Sequence, residues 1–348
     1  MIFRAGDLVE VRSKEEILAT LDERGRYQEL PFMPQMFAYC GQRFTVYKRA
    51  HKTCDTVNDY RGRKLPDAVH LETRCDGESH GGCQAACLLF WKEAWLKPVT
   101  GEPRSGRAPG GGRGAARCTE EDVTRAALAP GTAGAEPRYV CQATTLPEFT
   151  APLSWWDLRQ YLEDYRSGNV TPGRMAEGFC YGCFFSVYRR LSRVWWRFGA
   201  LLSGLYDLFQ TVTGGLPFPR KEGAIPAGQP TPTLELNLKP GDLVRIKSYR
   251  EILATLNEHN KNRGLTFDAE MVPYCGGVFR VRTRLDKFIE EQTGRLIVAK
   301  QPAVILEEIW CRSRYSDCRL FCPRSIYSWW REIWLERVAE TACEGREQ

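Results

Sequence analysis

The chain has 348 residues, 43% of them hydrophobic and 26% charged, with a formal net charge of +6. That length admits two or three domains, and the composition excludes general disorder. The mild positive charge is spread over interleaved acids and bases, so nothing in it calls for a nucleic-acid partner.

In chain order, the opening MIFRAGDLVEVRS lacks the apolar core and cleavage pattern of a secretory signal, and no later run approaches the ~18 apolar residues of a membrane span. With 14 cysteines, this leads to the expectation of reduced thiols and a cytoplasmic location, where clustered cysteines are more often metal ligands than disulfides. GDLVEV, from Gly6, alternates as a strand. Ser13-x-x-Glu16 is a capping box that opens a short helix over EILATL. YCGQRFTVYKR, from Tyr39, predicts a glycine turn and an alternating strand, and AVHLE, from Ala68, predicts another. FWKEAWLKPV, from Phe90, predicts a short helix with Trp91 and Trp95 on one face.

Residues 101–117 form a Gly/Arg/Pro stretch that reads as a flexible linker. A middle region, 118–213, follows. RYVCQATTL, from Arg138, has strand character, and Ser154 caps a predicted helix running to about Arg166. SGNVTPG (167–173) breaks that helix. The aromatic segment 179–212 then predicts a long helix in which Arg189, Arg190, Arg193 and Arg197 interleave with Trp195, Trp196 and Phe198. Residues 214–236 form a Pro/Gly linker.

The remainder repeats the beginning. GDLVRIKSYREILATLNE from Gly241 matches GDLVEVRSKEEILATLDE from Gly6, and 20 of the 41 positions from 6 to 46 are identical at a constant offset of 235. WWREIWLERV, from Trp329, matches FWKEAWLKPV. Residues 1–100 and 237–340 are therefore read as two copies of one module. The expected fold class is α+β: two small barrel-like, β-rich modules with short helices, flanking a mainly helical middle. The Gly-Asp-x-Val opening resembles that of SH3-like barrels over four residues only, too short a stretch to assign a family.

The cysteines carry most of the chemical signal. Cys40, Cys75, Cys83 and Cys87 in the first copy correspond to Cys275, Cys311, Cys318 and Cys322 in the second. Four thiolates per copy is the ligand count of a closed tetrahedral zinc site. A second alignment pairs Cys83 with Cys322 and replaces a thiol by His80, giving Cys40, Cys75, His80 and Cys83; both alignments stand. In the middle region, Cys180-x2-Cys183 with Cys118 and Cys141 suits a zinc site or an iron–sulfur cluster. His51-Lys-Thr-Cys54 places a thiol near an imidazole, the minimum for a nucleophilic cysteine. The second copy has Asp286 and Ile289 at those places.

The functional expectation is a zinc-stabilised, non-catalytic binding or scaffold protein with a protein partner. One alternative is a cysteine- or metal-dependent enzyme around Cys54, His51 and His80. Another is a peripheral protein that touches membrane surfaces through 179–212.

Overall fold

The computed structural model describes residues 3–99, 118–131, 136–194, 201–208, 222–226, 228–315 and 319–338. The expected linker at 101–117 lies outside these residues, as does the first part of the one at 214–236. Helices and strands are mixed, as in an α+β chain. The chain divides into two compact units. Unit 1 comprises Met1–Ala176, Lys287–Val298 and Cys318–Ile326; unit 2 comprises Glu177–Asp286, Ala299–Asp317 and Tyr327–Gln348.

Unit 1 begins with β1 (Leu8–Val11), whose alternation buries Val9 and Val11. At the entry to α1 (Lys14–Leu18), the Ser13 hydroxyl accepts from the Glu16 N–H and the Glu16 carboxylate accepts from the Ser13 N–H. The cap turns Ile17 fully into the core, a burial that contributes about 1.5–3 kcal/mol. Short strands β2 (Arg26–Tyr27) and β3 (Leu30–Pro31) form a hairpin. The remaining strands are β4 (Arg43–Arg49), β5 (Lys52–Cys54), β6 (Gly62–Lys64), β7 (Ala68–Arg74), β8 (Leu88–Lys92), β9 (Leu96–Pro98) and β10 (Ala151–Pro152).

Five of these strands form an antiparallel sheet in the order β8-β7-β4-β1-β9, curled into a half-barrel around Val46, Leu71, Trp91 and Trp95. A smaller sheet, β10-β6-β5, pairs Cys54 with Gly62 and Lys64 with Ala151. Helices α2 (Glu120–Ala126), α3 (Leu146–Phe149) and α4 (Arg159–Arg166) follow, and α5 (Pro172–Val194) begins in unit 1.

Several expected elements differ. Residues 90–98 are not a helix: β8, a 3-10 turn at Glu93–Trp95 and β9 replace it. Trp and Phe pack well in strands, and β7 offers β8 an antiparallel partner in which Val69 faces Trp91. The two indoles still share one core, Trp91 from β8 and Trp95 from the end of the turn. Ser154 does not cap α4, which starts later from Leu158 without a side-chain cap. Its carbonyl instead accepts from Gln160 Nε2 at 2.9 Å. RYVCQATTL forms only isolated bridges at Arg138 and Tyr139 before turning into α3. Its Gln142 points inward, accepting from Phe90 N–H (2.8 Å) and donating to the carbonyls of Phe90 (3.0 Å) and Pro31 (3.1 Å).

Unit 2 contains most of a second sheet, built from β11 (Leu243–Ile246), β14 (Val278–Ile289), β15 (Leu296–Trp310), β16 (Tyr327–Trp330) and β17 (Leu335–Arg337) in the order β16-β15-β14-β11-β17. Between β11 and β14 lie the capped helix Tyr249–Leu253 and the small hairpin β12 (Lys261–Asn262)–β13 (Leu265–Thr266). Trp330 and Trp334 are fully buried, and Trp334 Nε1 donates to Thr255 Oγ1 at 3.0 Å. α5 continues in unit 2, and residues 201–208 are also helical. No helix among the described residues is long and apolar enough to cross a membrane. Trp195, Trp196, Arg197 and Phe198 lie outside the described residues.

Candidate functional site

The stretch His51–Asp55 is buried from end to end, with no residue more than 5% exposed. Strand β5 turns Lys52 toward α4, where its Nζ donates to Asp164 Oδ2 at 2.6 Å, Gln160 Oε1 at 3.3 Å and the Leu320 carbonyl at 2.8 Å. The rings of Tyr161 and Phe321 flank the ammonium, their centroids 5.0 and 5.6 Å away. Burial pulls the Lys52 pKa down, and the Asp164 carboxylate opposes that pull. His51 Nε2 lies 3.2 Å from the Gln160 carbonyl and 3.3 Å from Asp164 Oδ1, while its Nδ1 is buried with no hydrogen-bond partner among the described residues. Gln160 and Asp164, spaced i, i+4, thus serve both side chains from one face of α4.

Beyond Lys52 the strand meets residues from late in the chain that belong to unit 1. The Cys54 thiol is hydrogen-bonded to Cys322, and that bond together with burial pushes its pKa well up; Arg324 and Arg319 oppose the shift. Arg324 is buried and donates to the Cys54 carbonyl at 3.3 Å and to Thr56 Oγ1 at 2.7 Å. Its guanidinium also lies 3.5 Å from Glu291, whose hydroxyl partner is Thr56. Burial raises the Glu291 pKa against the pull of Arg324. Asp55 behaves oppositely. Burial disfavours its charge, but Asn58, the Val57 N–H and Arg63 outweigh this and hold its pKa low.

This arrangement bears directly on the expected nucleophile. Among the described residues, no hydrogen bond joins Cys54 to His51 or His80. His80 is turned elsewhere: its Nε2 lies 3.1 Å from the Val140 carbonyl, and burial lowers its pKa. His70 Nδ1 lies 2.8 Å from the Leu89 carbonyl, and burial lowers its pKa to about 3, so it is a neutral core residue.

The run CDGESHGGCQAAC (75–87) is a compact series of turns. Gly77 has φ +77°, and a Cβ there would sit 1.9 Å from the Cys83 carbonyl oxygen, so only glycine fits. Cys75 accepts from Gln35 Nε2 at 3.0 Å, and burial pushes its pKa up to about 12. Cys83 and Cys141 lie within electrostatic reach of Cys75, and Cys87 senses both Cys75 and Cys141. The Cys83 sulfur also accepts from the Ile289 N–H at 3.4 Å.

Cys40 closes a 3-10 turn and packs against the core. Cys118 is buried, with its sulfur 3.5 Å from the Thr119 carbonyl. Cys180 and Cys183 are exposed on α5. Cys275 and Cys311 belong to unit 2, and the Cys311 sulfur lies 3.7 Å from Ser313 Oγ. Cys318 lies outside the described residues. Among the described residues, no three His, Cys, Asp or Glu side chains stand close enough together to hold a metal ion.

A cavity of about 460 Å³ opens beside β5 and α4. Its wall includes Arg49, His51, Lys64, Arg159, Glu163 and Arg166. Arg49 donates through Nε to Glu163 at 2.7 Å and pairs with buried Glu93. Arg159 grips Asp157 through two bonds of 2.9 and 2.8 Å. Lys64 and Arg166 make no ion pair among the described residues.

Sequence reasoning missed Lys52, Asp164, Arg324 and Glu291. One signal was available for Lys52: both copies hold Lys here, Lys52 and Lys287, where neighbouring positions differ. Compared with known proteins, the chain matches no family model and no curated protein.

Proposed function

We propose that this protein is a non-catalytic binding protein built on two copies of one module. One observation carries the non-catalytic reading. The Cys54 thiol, the best-placed candidate nucleophile, is buried against Cys322 and pushed away from ionisation. A nucleophilic cysteine needs the reverse, a partly exposed thiol with a lowered pKa. Iodoacetamide labelling of the native protein tests this. Cys54 is expected to react far more slowly than a free cysteine, and faster labelling would reinstate the enzyme.

The two-copy layout is supported by parallel detail. Val9 pairs with Phe44 as Val244 pairs with Phe279. Val11 pairs with Leu96 as Ile246 pairs with Leu335. The Arg49–Glu93 pair has a counterpart in Arg284–Glu332, and the bond from Trp95 to Thr20 has one from Trp334 to Thr255.

A second reading, peripheral membrane contact through 179–212, is favoured by Leu201, Leu205 and Leu208. These are 57%, 55% and 60% exposed at helical spacing. Co-sedimentation with anionic liposomes, weakening as salt screens the attraction, is its test.

A further inference from the structure

At the repeat offset of 235, β14 spans the positions that β4 and β5 hold in the first copy, and β15 spans those of β6 and β7. The segment 287–298 therefore corresponds to the hairpin β5–β6. Each copy then has a turn, 75–87 between β7 and β8 and 311–326 between β15 and β16. Unit 1 contains both hairpins, the first turn and residues 318–326 of the second.

Inside unit 1 each hairpin meets the turn of the other copy. From the first hairpin, Lys52 Nζ donates to the Leu320 carbonyl at 2.8 Å and the Cys54 thiol is hydrogen-bonded to Cys322. Arg324 donates to the Cys54 carbonyl at 3.3 Å and to Thr56 Oγ1 at 2.7 Å. From the second hairpin, the Lys287 N–H donates to Gln84 Oε1 at 2.9 Å, and the Lys287 carbonyl accepts from the Gln84 N–H at 3.1 Å. The Ile289 N–H donates to the Cys83 sulfur at 3.4 Å. Lys52 is equivalent to Lys287 and Cys54 to Ile289, so the same two points of each hairpin are engaged.

The hairpins also touch each other. The Thr56 hydroxyl donates to Glu291, and Gln292 Nε2 donates to the Val57 carbonyl at 2.8 Å. Thr56 is equivalent to Glu291, and Val57 to Gln292. Equivalent positions meet each other where a local two-fold axis passes between them, and the contacts on either side then come in exchanged pairs. That is the pattern of an isologous interface, in which the same patch serves both partners. Backbone groups of Cys54, Val57, Lys287 and Ile289 make many of the bonds, so the contact tolerates side chains as different as Thr56 and Glu291.

We infer that the hairpin and turn of this module form a self-recognition surface whose partner is a second copy of the module, and that the chain supplies this partner from its own second half. The inference rests on the two-copy reading.

The test uses the full chain with a protease site placed between residues 214 and 221 and cut after folding. Sedimentation over a dilution series, in urea below the unfolding range, reads how tightly the halves hold together. The expected result is one particle of the uncut size that parts only on dilution. Gln84→Ala with Gln292→Ala should weaken the association roughly 10- to 30-fold. Gln42→Ala removes a bond of the same kind inside the first copy, from Gln42 Nε2 to the Ala38 carbonyl at 2.7 Å, and should leave the association unchanged. Thermal melting of the uncut chains checks that each variant stays folded. Halves that separate as soon as they are cut would overturn the inference. So would a double variant that associates as tightly as Gln42→Ala, because another surface would then hold the halves. The two-copy reading is checked separately on the uncut chain with Thr20→Val and Thr255→Val, which remove the matched bonds from Trp95 and Trp334. A loss of stability at one threonine and none at the other would sink that reading while leaving the contact between the halves in place.

Discussion

Lys52 Nζ lies 2.6 Å from Asp164 Oδ2, and neither side chain is more than 3% exposed. The pair joins β5 to α4, and the rings of Tyr161 and Phe321 flank the ammonium. Removing one partner leaves the other uncompensated in a buried site, which costs about 3–5 kcal/mol. Lys52→Met and Asp164→Leu should each destabilise by that order, and the double variant should recover part of the loss. Urea unfolding of the three variants checks this. Additive losses would show that the two charges do not depend on each other.

A thiol held protonated by burial gives stability a definite pH dependence. Cys75 has its pKa raised from 9.0 to about 12. Above pH 9 the unfolded thiol releases its proton while the folded one keeps it, so its stabilising contribution, complete below 9, is lost progressively toward 12. Wild type should therefore lose stability relative to Cys75→Ser as pH rises above about 9, read from urea midpoints across that range. A pH-independent difference would mean that Cys75 is not desolvated.

Lys92 provides the opposite sign. It is 1% exposed, its Nζ donates to Gln28 Oε1 and the Pro66 carbonyl, and burial lowers its pKa from 10.5 to about 8. Between those values the folded side chain is neutral while the unfolded one is still charged. Stability from this group therefore rises with pH across the window. Relative to Lys92→Met, wild type should gain between about pH 8 and 10.5. No gain across that interval in the same titration would sink the idea.

The two capping boxes allow a matched comparison. Ser13 and Ser248 each accept from the N–H three residues on, and each receives a carboxylate back. Ser13→Ala and Ser248→Ala should each cost about 1 kcal/mol. Thermal unfolding followed by tryptophan fluorescence reads both losses, and a neutral substitution at either site would show that its helix is held by packing alone.

The sequence made some features plain and hid others, for identifiable reasons. Strands β1, β4 and β7 and the capped helices were legible because alternation and capping are local signals. The turn at Glu93–Trp95 was hidden because Trp91 and Trp95 satisfy a helical spacing as well as they satisfy a strand running into a turn. The cluster around Lys52 was hidden because its members come from three distant stretches: 51–56, 160–164 and 291–324. No period connects them. Cys322 illustrates the limit most clearly. Spacing groups it with Cys275, Cys311 and Cys318, and nothing in the spacing points to Cys54, the thiol it is hydrogen-bonded to.

That late residues complete unit 1 has a consequence for synthesis. Leu320, Cys322 and Arg324 supply a carbonyl, a thiol and a guanidinium to a strand that leaves the ribosome more than 260 positions earlier. Between translation of Ala176 and of Ile326, which bound the segments of unit 1, lies an interval on the order of 10–30 s at ordinary elongation rates. Through nearly all of it, the Cys54 thiol lacks Cys322 and Lys52 lacks the Leu320 carbonyl. The nascent N-terminal half must wait with an unfinished interior, exposed to chaperones and to misassembly. A fragment ended within 214–236 would carry that unfinished interior permanently, so the Pro/Gly-rich stretch that invites division of the sequence is one that leaves unit 1 incomplete.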